Sequence, residues 1–222
     1  ELGTDNYEIS LKIKFGSIVT NALSQYLIDV DGSNTNTPGR VAIYQKSSHI
    51  YMLGKDSAGN PDFTDVGVDI SAYSASDVFE VSLKAVGSTY TLSVSVNGSV
   101  VGSASGAMVT RPNLIYDPAS DRSLLVGANT SESSRLVNGT QIADLKIKKN
   151  NQLLHFFDGT VISTERFGSV FKDKFGGAHG DIIGSSSTIE DANFEFGKNK
   201  AQVYVGEWDG TFKYSWSDNP AW

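Results

Sequence analysis

The sequence contains no cysteine. That excludes a disulfide framework, a thiol nucleophile and any cysteine-ligated zinc or iron–sulfur centre. It leaves the compartment open, because a chain of 222 residues buries about 70% of its unfolded surface and needs no covalent staple. Histidine is scarce: His49, His155 and His179 are the three, and they show neither metal-ligand spacing nor a neighbouring Ser/Asp constellation. No apolar run approaches the ~18–20 residues of a membrane span, and no signal-peptide pattern opens the chain. Basic residues are the minority, 18 against 25 acids, for a net charge of −7. That balance argues against a nucleic-acid or anionic-membrane surface. Nor is there a trustworthy helix-period stretch. The chain begins at Glu1 rather than Met, and is read as a processed product or an excised fragment.

What is present is strand signal. Tyr7, Ile9, Leu11, Ile13 and Phe15 alternate with Glu8, Ser10, Lys12 and Lys14, the period-2 pattern of a strand with one wet face and one core face. Phe79, Val81, Leu83 and Ala85 repeat it, as do Tyr90, Leu92, Val94 and Val96. Gly87-Ser88 sits where a hairpin between these two would turn. Asn97-Gly98 gives a second turn, both residues tolerating the positive φ of type I′. Further strands are expected at Tyr26–Val30, Val41–Tyr44, His49–Leu53, Leu124–Gly127, Ala143–Lys148, Leu153–Phe157 and Gln202–Gly206. Long loops are expected at Ser33–Arg40, Lys55–Asp65, Ala104–Asp121 and Asn129–Asn138. Many short strands broken by Gly, Asn, Ser and Asp predict an all-β sandwich or barrel. A composition shift at Ser185–Thr188, after which all three Trp occur, divides the chain into a sandwich at 1–184 and a short C-terminal β segment at 185–222.

Two resemblances follow from particular residues. Over roughly 5–150, the order is the strand Asp77–Ala85, a hairpin, Tyr90–Asn97 with Gly98, then Ser123-Leu-Leu-Val-Gly127 and Asn138-Gly-Thr-Gln-Ile-Ala-Asp-Leu-Lys-Ile147. It resembles the concanavalin A-like, or laminin G-like, jelly-roll domains. The stretches Leu153–Gly159 and Lys172–Gly180 look like segments common beside such domains. The run from Glu207 to Trp222, Glu-Trp-Asp-Gly-Thr-Phe-Lys-Tyr-Ser-Trp-Ser-Asp-Asn-Pro-Ala-Trp, resembles a hub segment of phage tail-tip attachment (host-specificity, J-type) proteins. In that family the run continues into a further stretch; here the sequence given stops at Trp222. The resemblance implies a homotrimeric hub at the tail tip of a virion, with host attachment as its role. Its partners would be other tail-tip segments or subunits and a host surface polysaccharide. Trp208, Phe212, Tyr214, Trp216 and Trp222 would form the partner interface; the first four fall on one face of a strand at even spacing.

No catalytic residue is assigned. Concanavalin-like glucanases need paired carboxylates in a Glu-x-Asp-x-x-Glu run, and Glu80 stands alone between Phe79 and Val81. A lyase-type set could be sought in Gln45, His49 and Tyr51, although the signal is thin and ordinary cross-strand polar packing is the plainer account of them. Gly176, Gly177 and Gly180 lack the following helix and Lys of a phosphate cradle. Asp29, Asp31, Asn34 and Asn36 offer hard oxygens from a strand end and its loop, which suits calcium, though Asp/Asn loops form turns by their own hydrogen bonding. Sugar binding needs aromatic rings and directional polar groups. The candidates are Tyr44, Tyr51, Tyr73, Tyr116 and Asn129. The sequence-level expectation is a non-enzymatic attachment domain; the alternatives are a glycan depolymerase or lyase on the same fold, or a bacterial surface lectin.

Overall fold

Strands make up all of the regular structure in the computed structural model, which describes residues 5–30, 40–55, 61–108, 124–127, 136–137, 139–158, 161–164, 168–171, 174–175 and 180–181. In chain order they are β1 (Tyr7–Lys14), β2 (Gln25–Val30), β3 (Val41–Lys46), β4 (His49–Lys55), β5 (Pro61–Asp69), β6 (Phe79–Val86), β7 (Thr89–Val96), β8 (Ser99–Ala107), β9 (Leu124–Val126), β10 (Gln141–Lys149), β11 (Gln152–Phe157), β12 (Val161–Thr164), β13 (Gly168–Phe171) and β14 (Gly180–Asp181). One sheet has six strands in the order β11-β10-β1-β6-β7-β8. A second has five in the order β5-β4-β3-β2-β9, and β12-β13-β14 form a small third. Every pairing is antiparallel. This is the all-β sandwich that the alternation predicts. The expected strand at Gln202–Gly206 and the division at 184/185 lie outside the described residues.

The core is the sum of the alternating faces. Ile9, Leu11 and Ile13 of β1, Phe79, Val81 and Leu83 of β6, and Tyr90, Leu92 and Val94 of β7 are each at most 1% exposed. They join one cluster with Ile28, Val41, Ile43, Ile50 and Met52 of the five-stranded sheet. Burying side chains of this size contributes about 1.5–3 kcal/mol each. On β6 the intervening Glu80 and Lys84 are exposed, so the strand separates core from solvent residue by residue.

The two sheets close along one side where their last strands, β5 and β8, come together. A Cβ at Gly106 of β8 would stand 2.6 Å from the Phe63 ring of β5. Glycine is therefore what lets that ring lie under β8. Both strands are additions to the expected set. Pro61–Asp65 and Ala104–Ala107 belong to strands rather than to the loops expected at Lys55–Asp65 and Ala104–Asp121.

The turns follow their predicted chemistry. Asn97 and Gly98 have φ of 49° and 83°, and Gly87 has φ of 56°. Asn97 is also clamped: its Oδ1 accepts from Val78 N at 3.0 Å and its Nδ2 donates to Asp77 Oδ1 at 2.9 Å. Asp77 Oδ2 accepts from Ser74 N at 2.8 Å. The Asn97 side chain first, then the Ser74 amide, hold the Asp77 carboxyl below its ordinary value of 3.8. A depressed carboxyl adds stability that is complete above its unfolded pKa and is lost as pH falls through the lower folded one. Asn97→Ala is expected to flatten the acid limb of a melting-temperature profile between about pH 5 and pH 2; an unchanged limb would show that Asp77 does not contribute.

The β3–β4 turn departs from the usual chemistry. Ser47 and Ser48 hold φ of 48° and 58°, a left-handed region that costs a non-glycine residue about 1–2 kcal/mol. Outside contacts fix it: Ser47 N donates to Asn21 O at 3.0 Å and Ser48 N to Val19 O at 2.9 Å. Ser48→Gly is expected to stabilise the chain by about 0.5–1 kcal/mol, read from the urea midpoint.

Candidate functional site

Strand alternation gives the five-stranded sheet an outer face, and aromatic residues line up across it. Tyr26 of β2 pairs with Tyr44 of β3, Tyr44 with Tyr51 of β4, and Tyr51 with Gly67 of β5. The Tyr26 and Tyr44 rings stack at 5.3 Å between centroids, and Tyr44 and Tyr51 lie at 5.8 Å. The row turns along β4 at its end, where His49 lies parallel to Tyr51 at 5.2 Å and 5°. The Tyr51 ring rests over the Cβ-less Gly67. Tyr44 is nearly buried at 5% exposure, whereas Tyr26, Tyr51 and His49 are half-buried. Since neighbouring rings cover one another, the row offers solvent the accessible parts of these three and their polar atoms.

Charged groups fix the row at its Tyr26 end and at its middle. Arg40 lies over the Tyr26 ring at 5.4 Å. Its Nε and Nη2 donate to the two carboxylate oxygens of Asp29 at 2.8 and 2.7 Å. Both side chains are almost fully buried. Burial works to lower the Arg40 pKa; the hydrogen bonds and charge of Asp29, with Tyr26, outweigh it and raise it. The same burial, with the Arg40 charge second, lowers that of Lys55. At the middle of the row, the Tyr44 hydroxyl donates to Asp65. Asp65 sits at a bulge with φ of 51°, which turns its carboxylate onto this face, where Lys46 also approaches at 3.4 Å. Burial first, then the Asp65 hydrogen bond, drive the Tyr44 pKa upward, so this phenol stays protonated and is no base. His49 Nδ1 is 2.9 Å from Ser47 O. A carbonyl only accepts, so Nδ1 carries the proton and Nε2 is left as an acceptor when the ring is neutral.

Of the residues expected from sequence, the structure brings Tyr44 and Tyr51 together. Tyr73 stands apart, 37% exposed and edge-on to Phe79 at 6.3 Å. Tyr116 and Asn129 lie outside the described residues, as do Asp31, Asn34, Asn36, Trp208, Phe212, Tyr214, Trp216 and Trp222. Asp29 has a different place from the one expected: both its oxygens are taken by Arg40, so its charge is committed inside the protein rather than held for calcium. Among the described residues no three His, Asp or Glu side chains gather as metal ligands. The trio Gln45, His49 and Tyr51 is not assembled either. Gln45 is fully buried on the opposite face, bonded to Gln25 at 2.7 Å and to both backbone groups of Val19 at 2.8 Å. Sequence reasoning missed Tyr26, Lys46, Asp65 and Arg40 as parts of the row. None of the four had a signal: plain alternation would put Tyr26 on the same face as Ile28 and Val30, and only the bulge between Tyr26 and Ile28 turns it to the outer face.

No protein-family model matches the chain, and no curated protein does. Among solved structures, the chain is similar to the CBM40 domain of the Ruminococcus gnavus IT-sialidase bound to α2,3-sialyllactose (16% identity, 68% of this chain and 79% of that one, TM-score 0.41). It is also similar to tailspike protein 2 of an Escherichia coli O157:H7 bacteriophage (12% identity, 66% of this chain and 20% of that one, TM-score 0.47). A third is botulinum neurotoxin type C, whose cell entry depends on two ganglioside molecules (16% identity, 68% of this chain and 33% of that one, TM-score 0.41). The chain thus spans a third or less of the tailspike and toxin chains. No helix of the described residues is long and apolar enough to cross a membrane.

Proposed function

We propose that this chain is a non-enzymatic attachment domain that binds carbohydrate on the outer face of the five-stranded sheet. The observation that carries it is the row Tyr26–Tyr44–Tyr51–His49 with its fixed polar neighbours. A pyranose presents C–H patches and directional hydroxyls together. Half-buried aromatic rings beside Asp65, Lys46 and the His49 Nε2 meet both demands, and the stacked, hydrogen-bonded row needs little reordering on binding. The inward Gln45, bonded to Gln25 and Val19, takes no part in a set with His49 and Tyr51, which supports a binding role over lyase chemistry. The resemblance of residues 207–222 supports a phage tail tip as the setting, with a host surface polysaccharide as the target.

The test is binding of the labelled chain to polysaccharides extracted from candidate host surfaces. Saturable binding that Tyr51→Ala weakens by about tenfold or more, ~1.4 kcal/mol, is the expected result. Binding that survives Tyr51→Ala and Tyr26→Ala unchanged would place recognition elsewhere. For the setting, immunogold labelling of virions is expected at the tail end; labelling on the capsid would contradict it.

A further inference from the structure

We propose that β8 is a docking edge for a second copy of this chain, pairing antiparallel with itself about Ala104. β8 is the last strand of the six-stranded sheet and pairs on one side only, with β7. Its nine residues are Ser-Val-Val-Gly-Ser-Ala-Ser-Gly-Ala, with no charge and no proline. A strand edge carries a row of unpaired N–H and C=O groups, and natural proteins blunt such rows with charges, proline, bulges or covering segments.

The other long edges described are blunted. β5 begins at Pro61, carries Asp62, Asp65 and Asp69, and breaks its register twice. β11 receives the Lys174 amide on Phe156 O at 2.8 Å. β8 has one bulge, at Val101, and β5 packs against its inner side. From Gly102 to Ala107 its ladder with β7 is unbroken, and among the described residues that stretch carries no charge, proline or bulge.

The strand's own sequence selects the occupant. Gly102-Ser-Ala-Ser-Gly106 reads the same in both directions. In an antiparallel pair centred on Ala104, Ser103 faces Ser105 of the partner subunit, and Gly102 faces the partner's Gly106. This is the self-complementarity of a two-fold, isologous contact. Ser103, Ser105 and Ala107 are exposed, and Val100 is 81% exposed on the same strand. A foreign extended peptide gains specificity from side-chain pockets beside the edge; glycine, alanine and serine build none. A second β8 needs none. Nor does any charge of its own oppose the pairing in a chain of net charge −7. The contact is small, so the dimer is weak and concentration-dependent.

Sedimentation equilibrium up to about 1 mM chain tests the proposal. Monomer–dimer behaviour is expected. In S103K/S105K each introduced lysine faces another, and association should weaken at least tenfold. In S103K/S105E the introduced lysine at 103 faces the introduced glutamate at 105 across the two-fold, and association should return. Both positions are exposed, and circular dichroism checks that each variant folds. If a variant unfolds, amide exchange in the unaltered chain decides, with β8 protection rising with concentration. A wild-type monomer at every concentration, a trimer, a dimer indifferent to S103K/S105K, or β8 protection that ignores concentration would each overturn the proposal.

Discussion

Arg40→Met is expected to destabilise the chain by about 3–5 kcal/mol, because it leaves the Asp29 carboxylate buried without its counter-charge. The geometry is bidentate, at 2.8 and 2.7 Å, and Asp29 is 0% exposed. Natural domains hold only about 5–15 kcal/mol in total. The loss should therefore lower the melting temperature by about 6–20 °C. The double variant Asp29→Leu/Arg40→Met removes the charge together with its partner. Replacing a whole buried pair by apolar side chains is near neutral in other proteins, so this variant should recover most of the loss. A double variant as unstable as the single one would mean that the pair acts through packing or through Tyr26, not through charge compensation. Arg40→Met should also release the Tyr26 ring, which the guanidinium covers, and so weaken carbohydrate binding in the fraction that stays folded.

Gly67→Ala is expected to be the most damaging small change at the row. Its Cβ would collide with the Tyr51 ring and stand 2.6 Å from Ile50 O. A ring can swing away; a carbonyl in the neighbouring strand cannot retreat without loosening the β4–β5 ladder. Overpacking of this kind costs about 1–3 kcal/mol, and the displaced Tyr51 should take binding with it. Adding Tyr51→Ala relieves the ring clash and leaves the backbone one. Urea titrations of the two variants should therefore show partial recovery of stability with no recovery of binding. Full recovery would make the ring the whole obstacle.

The readable parts of this fold were those where the side-chain period is unbroken. In β6 and β7 every second residue from Phe79 to Ala85 and from Tyr90 to Val96 is in the core, so pattern and burial coincide. β5 hid because its register breaks twice: its fully inward residues, Phe63 and Val68, are an odd number of positions apart. β8 hid because small residues give no alternation; the β7 ladder and the β5 side chains that fill against its glycines hold it in place. The site divides in the same way. Tyr44 and Tyr51 are legible as candidates because they are aromatic and near in sequence. Their supports are not, since Asp65 reaches Tyr44 only through a bulge, and Asp29 meets Arg40 only once β2 pairs with β3. An Asp before an Asp/Asn/Gly loop resembles a cation ligand until its arginine is seen.

The central claim is that carbohydrate is held by the outer-face row, and its location is the thing to measure. Aromatic ¹³C–¹H NMR of the chain, titrated with the polysaccharide that binds it best, reads the rings directly. The account predicts saturable shifts of the Tyr26, Tyr51 and His49 ring signals, with Tyr90 and Phe79 in the core unmoved. Shifts confined to Tyr73, or to aromatics outside the five-stranded sheet while the row stays still, would contradict it.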